Sequence, residues 1–428
     1  MNRVESAAEP PLARSSPGLR YFQFALLLLA AGAIYPLLYL RQNFETTLLA
    51  SFGITSADLA GFYSVLGIVY AVSYLPSGWL ADRLSPRGLI SFSLALVGAF
   101  GLWFSCFPGH AALQVIFIGW GLAAGLTFWA SLLKGVKMLA EEHEQGRFFG
   151  ILDGGRGLVE ALLASLALAL FAFQIKHGGS HRQALQQVIY LYSFTCLAIA
   201  VFIYLFLGKG SCAPEVKHAR HGSLYRDLRH LLVIPRVWLM AAIIFCGYQL
   251  FWATYSFSAY LQQGYGMTPV AAGFITVSSL WMRPIGGSGG GMLGDRYAKE
   301  TVLGVSLILA SLGLICLIFF PKLSSAYFVM GLIMLMGVLI YAIRGLYWSL
   351  LTLCHIPIEL TGLAIGLISV IGYLPDIFLP LIHALLTRGF PGLLSYQLYF
   401  GYIAFCGLLG AAATFCFKRS FGMRESQS

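Results

Sequence analysis

The chain has 428 residues, of which 58% are hydrophobic and only 10% are charged, and its mean hydropathy is +0.79. Soluble domains usually carry about 25% charged residues. This composition excludes an ordinary soluble enzyme. The formal net charge of +10 would suit a nucleic-acid-binding protein, but the placement of the basic residues, described below, argues against that class.

The sequence contains twelve apolar runs that are long enough to cross a bilayer, which takes about 20 residues each. Lipid offers no hydrogen-bond partner to a strand edge, so each run is predicted to be a helix. The expected fold class is an all-α integral membrane protein. We call the runs spans 1 to 12, and they lie near residues 20–42, 57–80, 88–107, 110–136, 148–173, 187–207, 236–262, 267–293, 300–320, 324–353, 361–386 and 393–417.

The longest polar interruption, residues 208–235, divides the spans into six plus six. The predicted organisation is a tail at 1–19, a bundle at 20–207, the central loop, a second bundle at 236–417 and a tail at 418–428.

Basic residues are concentrated in the tails and in the loops that follow the even-numbered spans. Outside the spans, the opposite side carries only Lys176, Arg182, Lys322 and Arg388 among the 27 Lys and Arg residues. Cytoplasmic loops of membrane proteins are enriched in Lys and Arg. We therefore expect both termini to be cytoplasmic, and we interpret the basic balance as topological rather than as a nucleic-acid site.

The two halves repeat one short motif. Gly78 to Arg83, with the sequence GWLADR, follows span 2, and Gly291 to Arg296, with the sequence GMLGDR, follows span 8. A second match pairs GLTFW at 125–129 in span 4 with GLYW at 345–348 in span 10. Parallel repeats of six helices are a known transporter architecture.

The stretch GWLADRLSPRG resembles the signature of the major facilitator superfamily between helices 2 and 3, and GMLGDRYAKE resembles its weaker copy. The resemblance implies two pseudo-symmetric six-helix bundles around a central cavity and transport by alternating access. It also implies gating roles for Asp82 and Asp295, whose carboxylates would meet helix amino ends of the other bundle. The remaining gating candidates are Gly78, Arg83, Arg147, Gly291 and Arg296, although the arginines also suit a purely topological role.

Glycines crowd the end of span 8, in RPIGGSGGGMLGDR, and a smaller group stands at Gly154, Gly155 and Gly157 in span 5. The lysine and the preceding strand of a phosphate-binding loop are missing. We expect the two glycine groups to face each other between the bundles, with ordinary close packing as the alternative.

Ionisable residues inside a membrane span are costly and indicate function. Five basic and three acidic side chains qualify, an excess that favours an anionic substrate. They are Arg41, Lys134, Arg156, Arg283 and Arg344, against Asp153, Glu160 and Asp376.

The segment YPLLYLRQNF around Arg41 resembles helix 1 of the organophosphate:phosphate antiporters. The resemblance implies a substrate-binding role for Arg41 and, near Trp129, for Lys134. Snorkelling to the membrane surface is the alternative for both residues. The matching region of span 7 has no partner arginine and carries Gln249 instead.

Arg283 and Arg344 are the candidates to complete an arginine clamp, because guanidinium groups bind phosphate and carboxylate through two hydrogen bonds. Arg283 also resembles the helix 8 arginine of nitrate/nitrite porters, and a salt bridge within its bundle is the rival role for each. Tyr347 and Trp348, beside Arg344, and Trp129, near Lys134, are expected to line the same site, together with Gln249.

Asp153, Arg156 and Glu160 share one face of span 5, so the sequence predicts a structural Asp153–Arg156 pair. The alternative is a carboxylate that couples transport to protons. Asp376, between two prolines in GYLPDIFLP, is the third proton candidate, or otherwise a residue that bonds the broken backbone.

The leading hypothesis is a secondary transporter of a phosphorylated or carboxylated organic anion in a bacterial inner membrane, coupled to phosphate or protons. The alternatives are a proton symporter of another solute such as nitrate or a sugar acid, a drug or cation exporter, and a non-transporting receptor. No cofactor, metal or enzymatic constellation is expected.

Overall fold

The computed structural model describes residues 17–139, 145–208, 229–319, 326–354, 356 and 361–425. Helices form nearly all of this part, and no strand occurs in it. The helices are α1 (Pro17–Leu38), α2 (Arg41–Phe52), α3 (Ser56–Arg83), α4 (Pro86–Phe104), α5 (His110–Gly121), α6 (Trp129–Leu139), α7 (Gln145–Lys176), α8 (His181–Phe206), α9 (Pro235–Ala253), α10 (Phe257–Tyr265), α11 (Pro269–Leu280), α12 (Met282–Tyr297), α13 (Lys299–Phe319), α14 (Ala326–Tyr347), α15 (Thr361–Gly372), α16 (Pro375–Gly389) and α17 (Leu393–Glu425).

The predicted fold class is confirmed. Eleven helical stretches within the described ranges are long and apolar enough to cross a membrane. The remaining predicted span, span 8, is present as α11 and α12, which are separated by one turn residue, Trp281. Its hydropathy is lower than that of the others because it contains Arg283 and the glycine-rich run.

Two spans begin at capping boxes. Thr55 accepts a hydrogen bond from the Asp58 N–H, and the Asp58 side chain accepts one from the Thr55 N–H. Ser180 and Gln183 make the same reciprocal pair at the start of span 6. Such caps stabilise a helix by about 0.5–2 kcal/mol. The sequence thus fixes the starts of spans 2 and 6 locally, and the membrane-crossing runs follow from there.

Spans 1, 4, 7 and 10 each depart from regular α-helix near the middle or the end. Each of them is the first of three consecutive spans. Span 1 breaks between α1 and α2, after Pro36, which cannot donate a backbone hydrogen bond. Span 4 contains a π-helical segment at Leu122–Phe128, and spans 7 and 10 contain 3-10 segments at Thr254–Ser256 and Trp348–Cys354. Segments of this kind often mark functional sites and hinges.

Contacts between the two halves involve spans 2 and 11, spans 5 and 8, and the second part of span 1 with spans 7 and 8. Span 2 meets span 11 where the Ser64 hydroxyl donates to the Ile377 carbonyl, at 2.7 Å. The second part of span 1 meets spans 7 and 8 where the hydroxyls of Ser258 and Thr276 donate hydrogen bonds to oxygen atoms of Asn43. Among the described residues, the hydrogen bonds between the halves lie at the centre of the molecule or toward the side that is opposite to the chain termini. We call this side the opposite side.

The glycines of span 8 do not pair with those of span 5 as predicted. Gly286 and Gly290 lie against Val338 and Ala342 of span 10, which belongs to the same half. Of the span 5 glycines, Gly157 alone lies against span 8, at the side chain of Arg283. The close approach of spans 8 and 10 therefore explains most of the glycine run.

Candidate functional site

An ion cluster joins the two halves at the centre of the molecule. Arg283 of span 8 donates through Nη1 to Glu160 Oε2 at 2.5 Å, and its Nη2 lies 3.5 Å from Asp153 Oδ1. Arg283 is buried, whereas the Asp153 side chain is 54% exposed and therefore faces open space. The two carboxylates of span 5 thus share one arginine from the other half.

Gly157 makes this geometry possible. It lies one turn after Asp153 and just before Glu160, on the same face of span 5. A Cβ atom at this position would lie 2.5 Å from Cδ of Arg283. The guanidinium also lies over the Tyr341 ring of span 10, at 5.4 Å. The absence of a side chain at position 157 therefore lets Arg283 lie along span 5 and reach both carboxylates.

The predicted Asp153–Arg156 pair is wrong, because Asp153 pairs with Arg283 instead. Arg156 lies over two aromatic rings, Tyr35 at 5.3 Å and Trp129 at 5.5 Å. It has no ion pair with any described residue, and its Nε is buried without a hydrogen-bond partner there. The first half thus holds an arginine with aromatic contacts and no carboxylate of its own.

Arg344 is its counterpart in the second half. The guanidinium lies 4.0 Å from the centroid of Phe251 and 5.8 Å from that of Tyr248, both in span 7. Arg344 also makes no ion pair with the described part of the chain. Arg156 and Arg344 are within electrostatic range of each other, and both keep part of their surface accessible although protein surrounds them.

Aromatic and acidic groups close this region toward the opposite side. Tyr39 of span 1 stacks on Tyr255 of span 7, with ring centroids 4.9 Å apart and nearly parallel planes. Trp252 donates to the carboxylate of Asp376 at 2.7 Å, and Asp376 is 5% exposed. Asp376 is therefore bonded to a side chain of its own half, beside the contact between spans 2 and 11.

Arg41 has a different environment. It is 3% exposed and pairs with Glu45, one turn later on α2, at 3.1 Å. It also lies 5.2 Å from the centroid of Tyr63. The inventory of buried charges from sequence omitted Glu45, so the excess of basic side chains is one and not two.

The structure places some of the other substrate-site candidates beside the two arginines and others elsewhere; Trp129 lies against Arg156. Lys134 donates to the carbonyl of Ala81 at 2.6 Å, beside the motif after span 2. Gln249 is fully buried and donates to the Phe245 carbonyl. Tyr347 is buried, and Trp348 donates to the hydroxyl of Tyr373 at 3.1 Å. Tyr373 packs on Tyr248, so Trp348 is connected to the surroundings of Arg344.

Most of the gating candidates are not described by the structure. The side chains of Asp82, Arg83, Arg147 and Asp295 lie outside the described part. Gly78 and Gly291 adjoin open space, with no described atom within 4 Å of a Cβ built on either residue. Arg296 is exposed and lies over Tyr297, at 5.4 Å. Their gating roles remain predictions.

Sequence reasoning missed Glu45 and the aromatic partner Tyr35. Glu45 was detectable, because it stands four residues after Arg41 in the same helix. The cation–π contact of Tyr35 with Arg156 joins spans 1 and 5, and local sequence gives no signal for it. The described residues contain no group of three or more His, Cys, Asp or Glu side chains that could hold a metal ion.

Membrane-crossing helices in two halves around a charged, aromatic centre define a multi-pass α-helical membrane protein. A model of the Major Facilitator Superfamily matches residues 20–380. The chain belongs to the major facilitator superfamily, and it is therefore a secondary transporter rather than an enzyme.

Known proteins resemble the chain over most of its length. The inner membrane protein YihN of Escherichia coli K12 is 28% identical over 411 residues, which cover 94% of this chain and 96% of YihN. A D-galactonate transporter of Escherichia coli O6:H1 is 24% identical, covering 84% and 86% of the two chains. The inward-facing, unoccupied crystal structure of a bacterial homolog of the human lysosomal transporter Spinster matches with a TM-score of 0.71 at 16% identity. It covers 95% of this chain and 98% of that one.

Proposed function

We propose that the protein transports a small organic anion and holds it between Arg156 and Arg344. The observation that carries this proposal is the contrast among the central arginines. Arg283 bonds both Glu160 and Asp153, whereas Arg156 and Arg344 contact aromatic faces and pair with no carboxylate among the described residues. Three arginines against two carboxylates leave one positive charge at this centre. An uncompensated charge away from water is costly. An anionic substrate supplies the missing countercharge.

The two arginines come from different halves, which connects binding to conformational change. A carboxylate or phosphate that bonds both guanidinium groups draws the halves together around it. This is the differential contact that a ligand needs in order to shift an equilibrium between conformations. Guanidinium groups are suited to the task because each offers two parallel N–H donors to one anionic group.

A carboxylated solute, such as a sugar acid, is favoured over a phosphorylated one. The relative named D-galactonate transporter supports this choice. The surroundings of the arginines also suit a polyhydroxylated molecule, because Tyr35, Tyr248, Tyr373 and Trp348 combine flat apolar faces with polar hydrogen-bonding groups. Arg41, bonded to Glu45, takes a structural role in this proposal.

A drug or cation exporter is the less favoured candidate. It would need a carboxylate that is free to bind a cation. Glu160 and Asp153 already bond Arg283, and Asp376 already bonds Trp252. For localisation we propose a bacterial inner membrane, which the name of the YihN relative supports, with cytoplasmic termini as the distribution of basic residues indicates.

The test is uptake into proteoliposomes of labelled D-galactonate, glycerol 3-phosphate and inorganic phosphate. Each is supplied with and without the same unlabelled anion inside, and with and without a pH gradient. A lipophilic cation such as tetraphenylphosphonium serves as the comparison probe.

The variants are Arg156→Gln and Arg344→Gln, with Arg182→Gln as the matched control on the exposed opposite side. We expect D-galactonate uptake that falls on the order of 100-fold in the first two variants, because each loses charge-assisted hydrogen bonds worth roughly 1.5–3 kcal/mol. Equal uptake by all three variants, or movement of the cation alone, contradicts the proposal.

A further inference from the structure

A buried histidine lies between the halves on the opposite side. His383 of span 11 is 2% exposed, and its Nε2 atom has no hydrogen-bond partner among the described residues. Its ring packs against Tyr399 and Tyr396 of span 12, at centroid distances of 4.8 and 5.0 Å. Buried polar atoms in native proteins nearly always have a partner, and an exception calls for an explanation.

The ion pair of Arg41 and Glu45, which belongs to the first half, lies next to this histidine. Arg41 is within electrostatic range of His383 and of Tyr399. The carboxylate that the structure describes in these surroundings is that of Glu45, and it already bonds Arg41. The other titratable groups here are tyrosines, namely Tyr396 and Tyr399 of span 12 and, against Arg41, Tyr63 of span 2.

The charges of this cluster balance only while the histidine is neutral. Arg41 and Glu45 cancel each other, and both are buried. A protonated His383 would add a second positive charge beside Arg41, away from water and with no described carboxylate left to pair with it. A buried charge without a partner is costly. The closed contact between the halves therefore requires the neutral imidazole.

Opening of the opposite side removes this restriction. A secondary transporter must separate its halves there to exchange solute with that side of the membrane, and water then reaches the histidine between them. An imidazole in water has a pKa of about 6.5. Because the open conformation binds the proton and the closed one does not, acidification shifts the population toward the open conformation.

We propose that His383 senses the pH on the opposite side and sets how readily the two halves separate there. At high pH the imidazole is neutral and the halves close over it. At low pH its proton holds them apart. With cytoplasmic termini, as proposed, the opposite side faces the periplasm, so an acidic periplasm raises the fraction of transporters that are open outward. The inference concerns the conformational equilibrium without solute and goes beyond the proposed function.

The test is double electron–electron resonance of the full-length protein in nanodiscs, without any solute. Nitroxide labels are attached through Ala111→Cys and Phe390→Cys, which lie exposed on the opposite side, one in each half, in a background without the native cysteines. The ratio of the long-distance to the short-distance population should rise about tenfold from about pH 7.5 to about pH 5.5, the range over which an unperturbed histidine becomes mostly protonated.

Two replacements of the histidine should abolish this response. His383→Gln is neutral at every pH, and His383→Phe also retains a ring against Tyr396 and Tyr399, so the test does not depend on the folding of a single variant. Both should give the same distance populations at the two pH values. His177→Gln is the matched control, because His177 is exposed on the same side. It should respond as the wild type does.

The proposal is overturned if the wild-type distances do not depend on pH, a result that requires no variant. It is also overturned if both His383 variants keep the wild-type response, or if His177→Gln loses it as well, because the response then belongs to other groups. Since no transported anion is present, the measurement stands or fails independently of the uptake experiment.

Discussion

The arginines inside this transporter occupy two environments that differ in their countercharge. Arg41 bonds a carboxylate one turn along its own helix, so its charge is satisfied within a single span. Arg156 and Arg344 lie against aromatic rings and pair with no carboxylate in the described ranges. Only the second environment leaves arginines without a paired carboxylate among the described residues. In the proposed function, the missing countercharge, more than the arginine itself, marks the anion site.

Removing the countercharge of Arg41 is expected to produce the largest effect on stability. Glu45→Gln leaves the Arg41 guanidinium buried and unpaired, which costs about 3–5 kcal/mol. The thermal unfolding temperature in detergent should fall strongly, while the protein that remains folded should bind its anion with unchanged affinity. A double replacement, Arg41→Met with Glu45→Met, should recover most of the stability, since apolar residues often replace a buried pair without loss. A Glu45→Gln protein as stable as wild type would contradict the structural role.

The second comparison tests geometry at constant charge. Arg344→Lys keeps the positive charge but loses the planar fork of donors. Binding of the transported anion should weaken by about 1.5–3 kcal/mol, which is roughly 10- to 100-fold in Kd. Binding to purified protein can be measured by calorimetry. The matched change Arg41→Lys should leave Kd unaltered in the fraction that folds. Equal weakening by both changes would mean that Arg41 also contacts the substrate.

Sequence predicted the spans well because hydrophobic length and capping are local properties. It also predicted that Asp153 and Glu160 share a face of span 5, and the structure confirms this, since one arginine bonds both. It gave Asp153 the wrong partner because Arg156 is near in sequence, whereas Arg283 comes from the other half. Pairing across the halves depends on how the bundles are packed, and no periodicity within one span specifies that.

The two glycine groups illustrate the same limit. Small residues in span 8 correctly indicated a close helix contact, but not which helix makes it. Gly286 and Gly290 pack against span 10, and Gly157 accommodates a side chain rather than a backbone. A small residue shows that something approaches closely; only the assembled structure shows what does.

Gly157→Ala should disturb the ion cluster without changing any charge. The added methyl group would overlap Arg283, and such overpacking typically costs about 1–3 kcal/mol. We expect a lower unfolding temperature and slower transport, because Arg283 must move away from Glu160. Gly154→Ala is the control, since a Cβ there meets no described atom within 4 Å. If both alanine variants behave alike, helix propensity rather than the position of Arg283 explains the effect.

Trp252→Phe should give the smallest effect on stability. It tests Asp376, the remaining acidic candidate for proton coupling. It removes the indole N–H that donates to Asp376 and leaves the ring largely in place. A hydrogen bond to a charged group contributes roughly 1.5–3 kcal/mol, a neutral one about 0.5–1.5 kcal/mol. The loss in unfolding free energy therefore reports whether Asp376 is ionised. A loss near 1 kcal/mol that is the same at low and high pH indicates a carboxylic acid that stays neutral. A larger loss of unfolding free energy that shrinks on acidification indicates a carboxylate that takes up a proton. The exposed control Trp238→Phe should show no such loss. This outcome would make Asp376 a rival to Glu160 as the coupling site.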